Sequence, residues 1–433
     1  MRWLLPFLAL TWLILTPLSA VRAEQPKKES AADAITFAAT DWPWWRGPTR
    51  NGIAPADQKP PLKWGESENV RWKSPVPGRG HGSPTVVGDH VYLATAEEAT
   101  ESQSVLCFDR KTGKQLWKTV VHQGGFEKKG NGKSSHASSS VACDGKRLFI
   151  NFLHDGAVYT TALTRQGKQL WQTKVADYVL HQGFGSSPTV YEGLVLVSAD
   201  NKGGKGAVAG LDRLTGKIVW TQPRPKAPNY CSPIVLRVEG RDQLLMVGCD
   251  LVTSLDPLTG SKLWEVKGAT TECVTSTVTD GRHIFTSGGY PKNHLAAVRA
   301  DGSGKVAWEK GNRIYVPSMI AHGGHLYGVM DEGVAVCWKC DTGDEVWRQR
   351  LSRKGAFSAS LVLVGDDLFA TNEAGRTFIF RAKPDAFEAV GDNQLGDETY
   401  STPAVCGDCV FLRVATTTKG KRQEYLYCIG AAK

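Results

Sequence analysis

The chain has 433 residues, 41% of them apolar, with 52 Lys and Arg against 43 Asp and Glu, a formal net charge of +9. That is enough apolar material for a large core and too little charge for a disordered chain. No basic stretch is longer than Lys419-Gly-Lys-Arg422, and no basic stripe combines with an aromatic platform, so nucleic acid is not an expected partner and attraction to anionic surfaces is mild.

The first element is a leader. Arg2 precedes an apolar run from Trp3 to Leu15, and Val21-Arg22-Ala23 places small residues where signal peptidase reads. Residues 1–23 are therefore expected to be an export signal, with cleavage after Ala23. The run is short for a membrane span, and no later segment approaches spanning length. The first cysteine is Cys107, far from the cleavage point, so no lipid anchor is expected and the mature chain should be periplasmic or extracellular. Residues 24–40, rich in Lys, Glu, Ala and Ser, read as a flexible linker. Residues 41–64 carry Trp42-Pro-Trp-Trp45-Arg46-Gly47, and this aromatic density predicts packing on the main domain.

From residue 65 to 433 the chain repeats itself. Asp109-Arg-Lys-Thr-Gly-Lys-Gln-Leu-Trp117 returns as Thr164 to Trp171, Asp212 to Trp220, Asp256 to Trp264, Ala300 to Trp308 and Asp341 to Trp347. Its glycines, Gly113, Gly167, Gly216, Gly260, Gly304 and Gly343, recur at intervals of roughly 40 to 55 residues, a period of propellers or solenoids. Short runs such as Val91-Tyr-Leu93 and Leu194-Val-Leu-Val197 select strands over helices. Gly88-Asp89, Asp144-Gly145, Gly365-Asp366 and Gly407-Asp408 separate such runs as tight hairpins. One unit thus reads as a four-stranded antiparallel blade, and the fold as an all-β, eight-bladed β-propeller.

Eight blade starts align on Ser83, Ser138, Ser187, Ser232, Thr275, Ser318, Ser360 and Thr402. The seventh phrase has decayed, with Phe387 at the expected tryptophan position, and the eighth unit ends without an outer strand. Asn69-Val-Arg-Trp72-Lys near the front supplies the missing piece, so the N-terminal strand should close the ring and remove its open edges. Trp72, Trp117, Trp171, Trp220, Trp264, Trp308 and Trp347 are expected to dock structurally, each against a glycine turn that leaves room for an indole.

The repeated Asp-x-x-Thr-Gly-Lys-x-x-Trp resembles the tryptophan-docking motif of the PQQ-like, quinoprotein-type eight-bladed propellers. The likeness covers about 65 to 430 and is specific for fold. For function it implies two different things, because this repeat is similar both to that of quinone-dependent alcohol dehydrogenases and to that of the outer-membrane assembly propeller. Trp42 to Gly52 resembles a preface found in exported members. The dehydrogenase likeness implies pyrroloquinoline quinone stacked on a vicinal disulfide, with Ca²⁺ held by Glu, Asn and Asp. No Cys-Cys dipeptide and no Cys-x-x-Cys-His occurs here.

In this fold the loops entering each inner strand converge with the loops between the second and third strands on one face of the channel, the default site for binding. The first set offers His81, His136, Tyr230, Cys273 and Tyr400, and the second Asp155, Asn201, Asp250, Asn293, Asp331, Asn372 and Arg413. Turn chemistry alone accounts equally well for the first set and better for the second. His122-Gln-Gly-Gly-Phe126 and His181-Gln-Gly-Phe184 are near-duplicates that either meet one ligand or echo a common ancestor. The insertion 122–135, with Lys128, Lys129 and Lys133, reads as a flap. Among the ten cysteines, Cys406 and Cys409 flank a hairpin and lie close, and Cys231 and Cys273 are expected near the axis; no pairing is fixed by sequence. No catalytic constellation or resident metal set stands out. The expected function is a non-catalytic, monomeric scaffold, binding an envelope protein or small polar ligand at the channel mouth. The alternative is a quinone- and Ca²⁺-dependent oxidoreductase.

Overall fold

The computed structural model describes residues 34–127, 130–353 and 355–431; the leader and most of the linker lie outside them, as do Lys128 and Lys129. The described chain forms eight four-stranded antiparallel sheets. Blade 1 runs from Thr85–Val87 at the axis through His90–Glu97 and Ser102–Asp109 to Gln115–Gln123 at the rim. Blades 2 to 7 repeat this order over 142–177, 189–223, 234–267, 278–310, 320–350 and 362–394. The eighth blade is composite. Its inner three strands are Ala404–Cys406, Cys409–Thr418 and Lys421–Ile429, and its rim strand is Val70–Val76 from the other end of the chain. Trp72 pairs with Cys428 and Ser74 with Leu426, so the ring closes as the orphaned tryptophan strand predicts.

Each part of the repeated phrase has a job. The Asp109 carboxylate accepts from the Thr112 backbone N–H and hydroxyl, both at 2.7 Å, which holds its pKa below the usual carboxylate range and bends the chain into a turn. Gly113 then takes φ +74°. A Cβ there would lie 2.5 Å from Ser74 Oγ and 2.6 Å from the Trp72 indole of the preceding blade, so the ring of one blade lies flat on the turn of the next. Trp72, Trp117, Trp171, Trp308 and Trp347 each donate Nε1–H to a carbonyl in the next blade's turn region. Trp264 departs from the pattern by donating to Gln243 within its own blade, and a Cβ on Gly304 would meet only Val266, at 3.1 Å. Both glycines are left-handed, at φ +74° and +69°, so Gly304→Ala should cost chiefly the conformational strain of about 1–2 kcal/mol, with a small shift of Val266, whereas Gly113→Ala adds an overpacking cost of about 1–3 kcal/mol. Paired urea melts measure the difference.

The seventh blade corrects the alignment. Its rim strand is Ala389–Gln394, and the residue facing Ile379, as Trp117 faces Cys107, is Gly391. Phe387 lies before the strand and packs on Trp347, with ring centroids 5.6 Å apart. The empty slot is filled from outside the repeat. The Leu62 carbonyl approaches Gly391, and buried Trp64 stacks 6.1 Å from Phe369, the spacing that Trp347 keeps to Tyr327. Trp64 thus serves as the tryptophan its blade lacks.

The segment before it crosses the end of the channel that carries the glycine turns. Trp42 exchanges backbone hydrogen bonds with Val86 of blade 1, Pro43 accepts from Cys143 of blade 2, and Gly52 and Ala54 bond Leu363 of blade 7. Arg46, fully buried, donates to the carbonyls of Met319 at 2.6 Å and Leu361 at 2.8 Å. Among the described residues no carboxylate pairs with it, and burial pulls its pKa down to about 9. This stretch plugs one end of the axis.

Candidate functional site

A belt of hydroxyls encircles the axis. In seven of the eight blades the backbone N–H at the head of the inner strand donates to the Ser or Thr hydroxyl of the following blade: Ser83 to Ser140, Ser140 to Ser187 and Ser187 to Ser232, all at 2.9 Å. On the far side Ser276 donates to Ser318, Ser318 to Ser360, Ser360 to Thr402 and Thr402 back to Ser83. At Ser276 the hydroxyl instead accepts from Trp45 Nε1, at 2.8 Å. The plug therefore reaches the belt through one indole.

Above Trp45 opens a cavity of about 500 Å³, lined from the inner-strand entry loops of all eight blades. Its chemistry is concentrated on one wall. His181 Nδ1 lies 3.0 Å from the Tyr230 hydroxyl and 3.4 Å from Glu272 Oε1, and the Tyr315 hydroxyl donates to Glu272 Oε2 at 3.3 Å. Burial and then the Glu272 charge push the ionisation of Tyr230 and Tyr315 well above the usual phenol range, so both stay neutral donors. Across the cavity His81 packs on Tyr400, ring centroids 4.4 Å apart. Lys133 of the insertion reaches over the mouth to Glu373 of blade 7, at 2.7 Å, and Glu373 also accepts from Ser358. Burial opposes the Lys133 charge, but its bond to Glu373 prevails and raises its pKa.

Of the residues expected at the mouth, His81, His181, Tyr230 and Tyr400 line this cavity. The hydroxyl belt explains two that do not. Blade 2 enters at Ser140, not Ser138, and blade 5 at Ser276, not Thr275, so the positions facing the axis are Ser138 and Val274. His136 lies instead against Phe126, 4.1 Å between rings. Cys273 is fully buried, its N–H bonded to Asn229 Oδ1. His122 is buried against His154, 4.2 Å between rings; desolvation and then its neighbour's charge hold its pKa down to about 4. The duplicated loops therefore do not present matched pairs: His181 and Phe184 line the cavity, whereas His122 and Phe126 do not.

The second set is mostly turn scaffolding. Asn201 donates to the carbonyls of Ala199 and Asp177 and accepts from Gly203 N–H, and buried Asn372 accepts from the N–H groups of Ala374 and Arg376. Asp250 accepts from Thr271, and Asp155 holds a left-handed turn. Asp331 accepts from Arg313 and the Tyr315 N–H, though burial still raises its pKa. Asn293 is exposed on the blade 5 loop. Arg413 lies in the seam between blades 8 and 1, paired with Glu424 and donating to Ala94 O and Thr95 Oγ1. Sequence reading missed Trp45, Glu272, Tyr290 and Tyr315; Glu272 stands two residues before Val274, outside the single entry position considered for each blade.

All ten cysteines are buried free thiols. Cys406 and Cys409 are direct cross-strand partners. Among the described residues, the one cluster of three metal-ligating side chains is Asp280, His283 and Asp341, on the opposite face from the cavity.

Residues 62–123, 101–349 and 291–393 match the sequence family described as outer membrane protein assembly factor BamB. The chain belongs to that family. It is 26% identical over 299 residues to BamB of Burkholderia pseudomallei (strain K96243), covering 67% of this chain and 61% of the relative. It is also 28% identical over 235 residues to a polyvinylalcohol dehydrogenase of a Pseudomonas species, covering 48% of this chain and 34% of that enzyme. The chain thus spans less than two thirds of either relative. Solved propellers share the fold: BamB from Moraxella catarrhalis has a TM-score of 0.57 at 12% identity, covering 83% of this chain and 99% of that one. Quinohemoprotein alcohol dehydrogenase from Comamonas testosteroni has 0.63 at 13%, covering 93% and 82%. No helix among the described residues is long and apolar enough to cross a membrane.

Proposed function

We propose that this chain is an exported, non-catalytic binding propeller of the cell envelope, receiving a partner segment or small polar ligand in its axial cavity. The observation that carries the reading is the cavity itself: a recess floored by Trp45 and walled by every blade, with aromatic rings and a few convergent polar groups. Similarity to an assembly factor supports a scaffold. The polyvinylalcohol dehydrogenase relative favours the second reading, a quinone-dependent oxidoreductase. Its donor set argues against that reading. The cavity wall carries one carboxylate, Glu272, where Ca²⁺ takes six to eight oxygens, and no two cysteines are adjacent in sequence to form the quinone's platform.

The test sets the two against each other. Full-length mature protein is titrated with pyrroloquinoline quinone and Ca²⁺ and assayed for dye-linked oxidation of alcohols including polyvinyl alcohol; saturable turnover would establish the enzyme. In parallel an envelope protein is co-purified with the chain. Its recovery is expected to fall at least about tenfold with His81→Ala or Tyr230→Ala and to persist with Leu116→Ser on the outer rim. Equal loss or equal retention in all three variants counts against a cavity-borne contact.

A further inference from the structure

We infer that the axial cavity recognises a positively charged group, an ammonium or guanidinium, held against Glu272. This rests on the reading of the cavity as the binding site and names what the site selects. Glu272 is fixed from both sides: its N–H bonds the Tyr290 carbonyl at 3.3 Å and its own carbonyl accepts from Thr270 at 3.0 Å. Its side chain is only 5% exposed, yet it lines the cavity.

A carboxylate that deep normally sits in short, charge-assisted bonds of about 2.7–2.9 Å. Glu272 has instead the Tyr315 hydroxyl at 3.3 Å and His181 at 3.4 Å. Among the described residues no lysine or arginine lies within ion-pair distance of it. The cations nearby are committed elsewhere: Lys133 to Glu373 and Arg313 to Asp331. The wall therefore holds a buried carboxylate with acceptor capacity to spare beyond its two long contacts, the condition that a ligand cation relieves and a neutral hydroxyl does not. Tyr230, Tyr290, Tyr315 and Trp45 line the same recess, and aromatic rings attract cations most where water is excluded.

A free amine and the side chain of a partner's lysine present the same chemistry, so the experiment uses both. The mature chain is titrated calorimetrically with cadaverine, with Nα-acetyl-lysine methylamide and with the uncharged Nα-acetyl-norleucine methylamide. At least one of the two charged probes should bind saturably and about tenfold or more tighter than the norleucine probe, and Glu272→Gln should remove that preference without lowering the melting temperature. Glu272→Asp, which keeps the charge, should retain part of it and guards against a merely structural effect. Preference for cadaverine would point to a free amine, and preference for the lysine probe to a protein side chain. Equal binding of the norleucine probe, or undiminished preference in Glu272→Gln, overturns the inference. If the co-purifying protein still depends on His81 and Tyr230 in that event, the cavity reading survives; if no cavity substitution alters probe or partner, that reading falls too.

Discussion

Trp72→Ala should lower the unfolding free energy by about 3–5 kcal/mol, and a chain starting at Pro77 should fail to form a cooperative ring. The indole is only 9% exposed, lies on the Gly113 turn and packs 6.0 Å from Phe411, so truncation leaves a void between blades 8 and 1 that neither sheet can close alone. Deleting the strand does more. Lys421–Ile429 then becomes an edge, exposing the backbone groups that Val70–Val76 now pairs, and blade 7 loses Trp64 as well. Trp64→Ala by itself should cost a similar amount, because it fills a core slot between Phe369 and Asn393, whose Oδ1 accepts the Trp64 N–H at 2.8 Å. Urea unfolding followed by tryptophan fluorescence and near-ultraviolet circular dichroism measures all three. If Trp64→Ala proves neutral while Trp72→Ala does not, the account of blade 7 is wrong.

That contrast also marks where the sequence was legible. The docking phrase announces itself because its parts are local and stereochemically narrow: an Asp that caps, a Gly that must be left-handed, a Trp four residues on. Ring closure could be inferred from an orphaned half-phrase for the same reason. Blade 7 defeated the reading because its tryptophan comes from outside the repeat, leaving Gly391 as the only local trace and Phe387 as a decoy. The belt was blurred wherever hydroxyls cluster. Ser138-Ser-Ser140 and Thr275-Ser276 each offer more than one register, and the wrong choice moved His136 and Cys273 onto the axis and Ser138 and Val274 off it. Trp45 was unreadable as a cavity floor, since its contact to Ser276 spans 231 positions. The second loop set failed for a chemical reason, because Asn and Asp stabilise turns with the same atoms they would offer a ligand.

Arg413 separates a ligand role from a structural one by experiment. At the mouth, Arg413→Met would weaken binding and leave stability alone. The geometry requires the opposite, a loss of about 3–5 kcal/mol, because removing one member of a buried pair strands the other. Glu424 is only 2% exposed; without Arg413 it keeps the half-buried Arg422, 2.7 Å from Oε1, and a long bond from Gly80 N–H at 3.4 Å. The lost guanidinium also releases Ala94 O and Thr95 Oγ1 of blade 1, so the seam between first and last blades should show the earliest hydrogen exchange. Removing both charges discriminates further. Arg413→Met with Glu424→Leu no longer buries a carboxylate that has lost its buried partner, and should recover much of the single variant's loss, whereas independent contributions would make the double variant worse than either. A double-mutant cycle by urea unfolding gives that coupling directly, and additivity within about 0.5 kcal/mol would show that the pair does not clamp the closing seam.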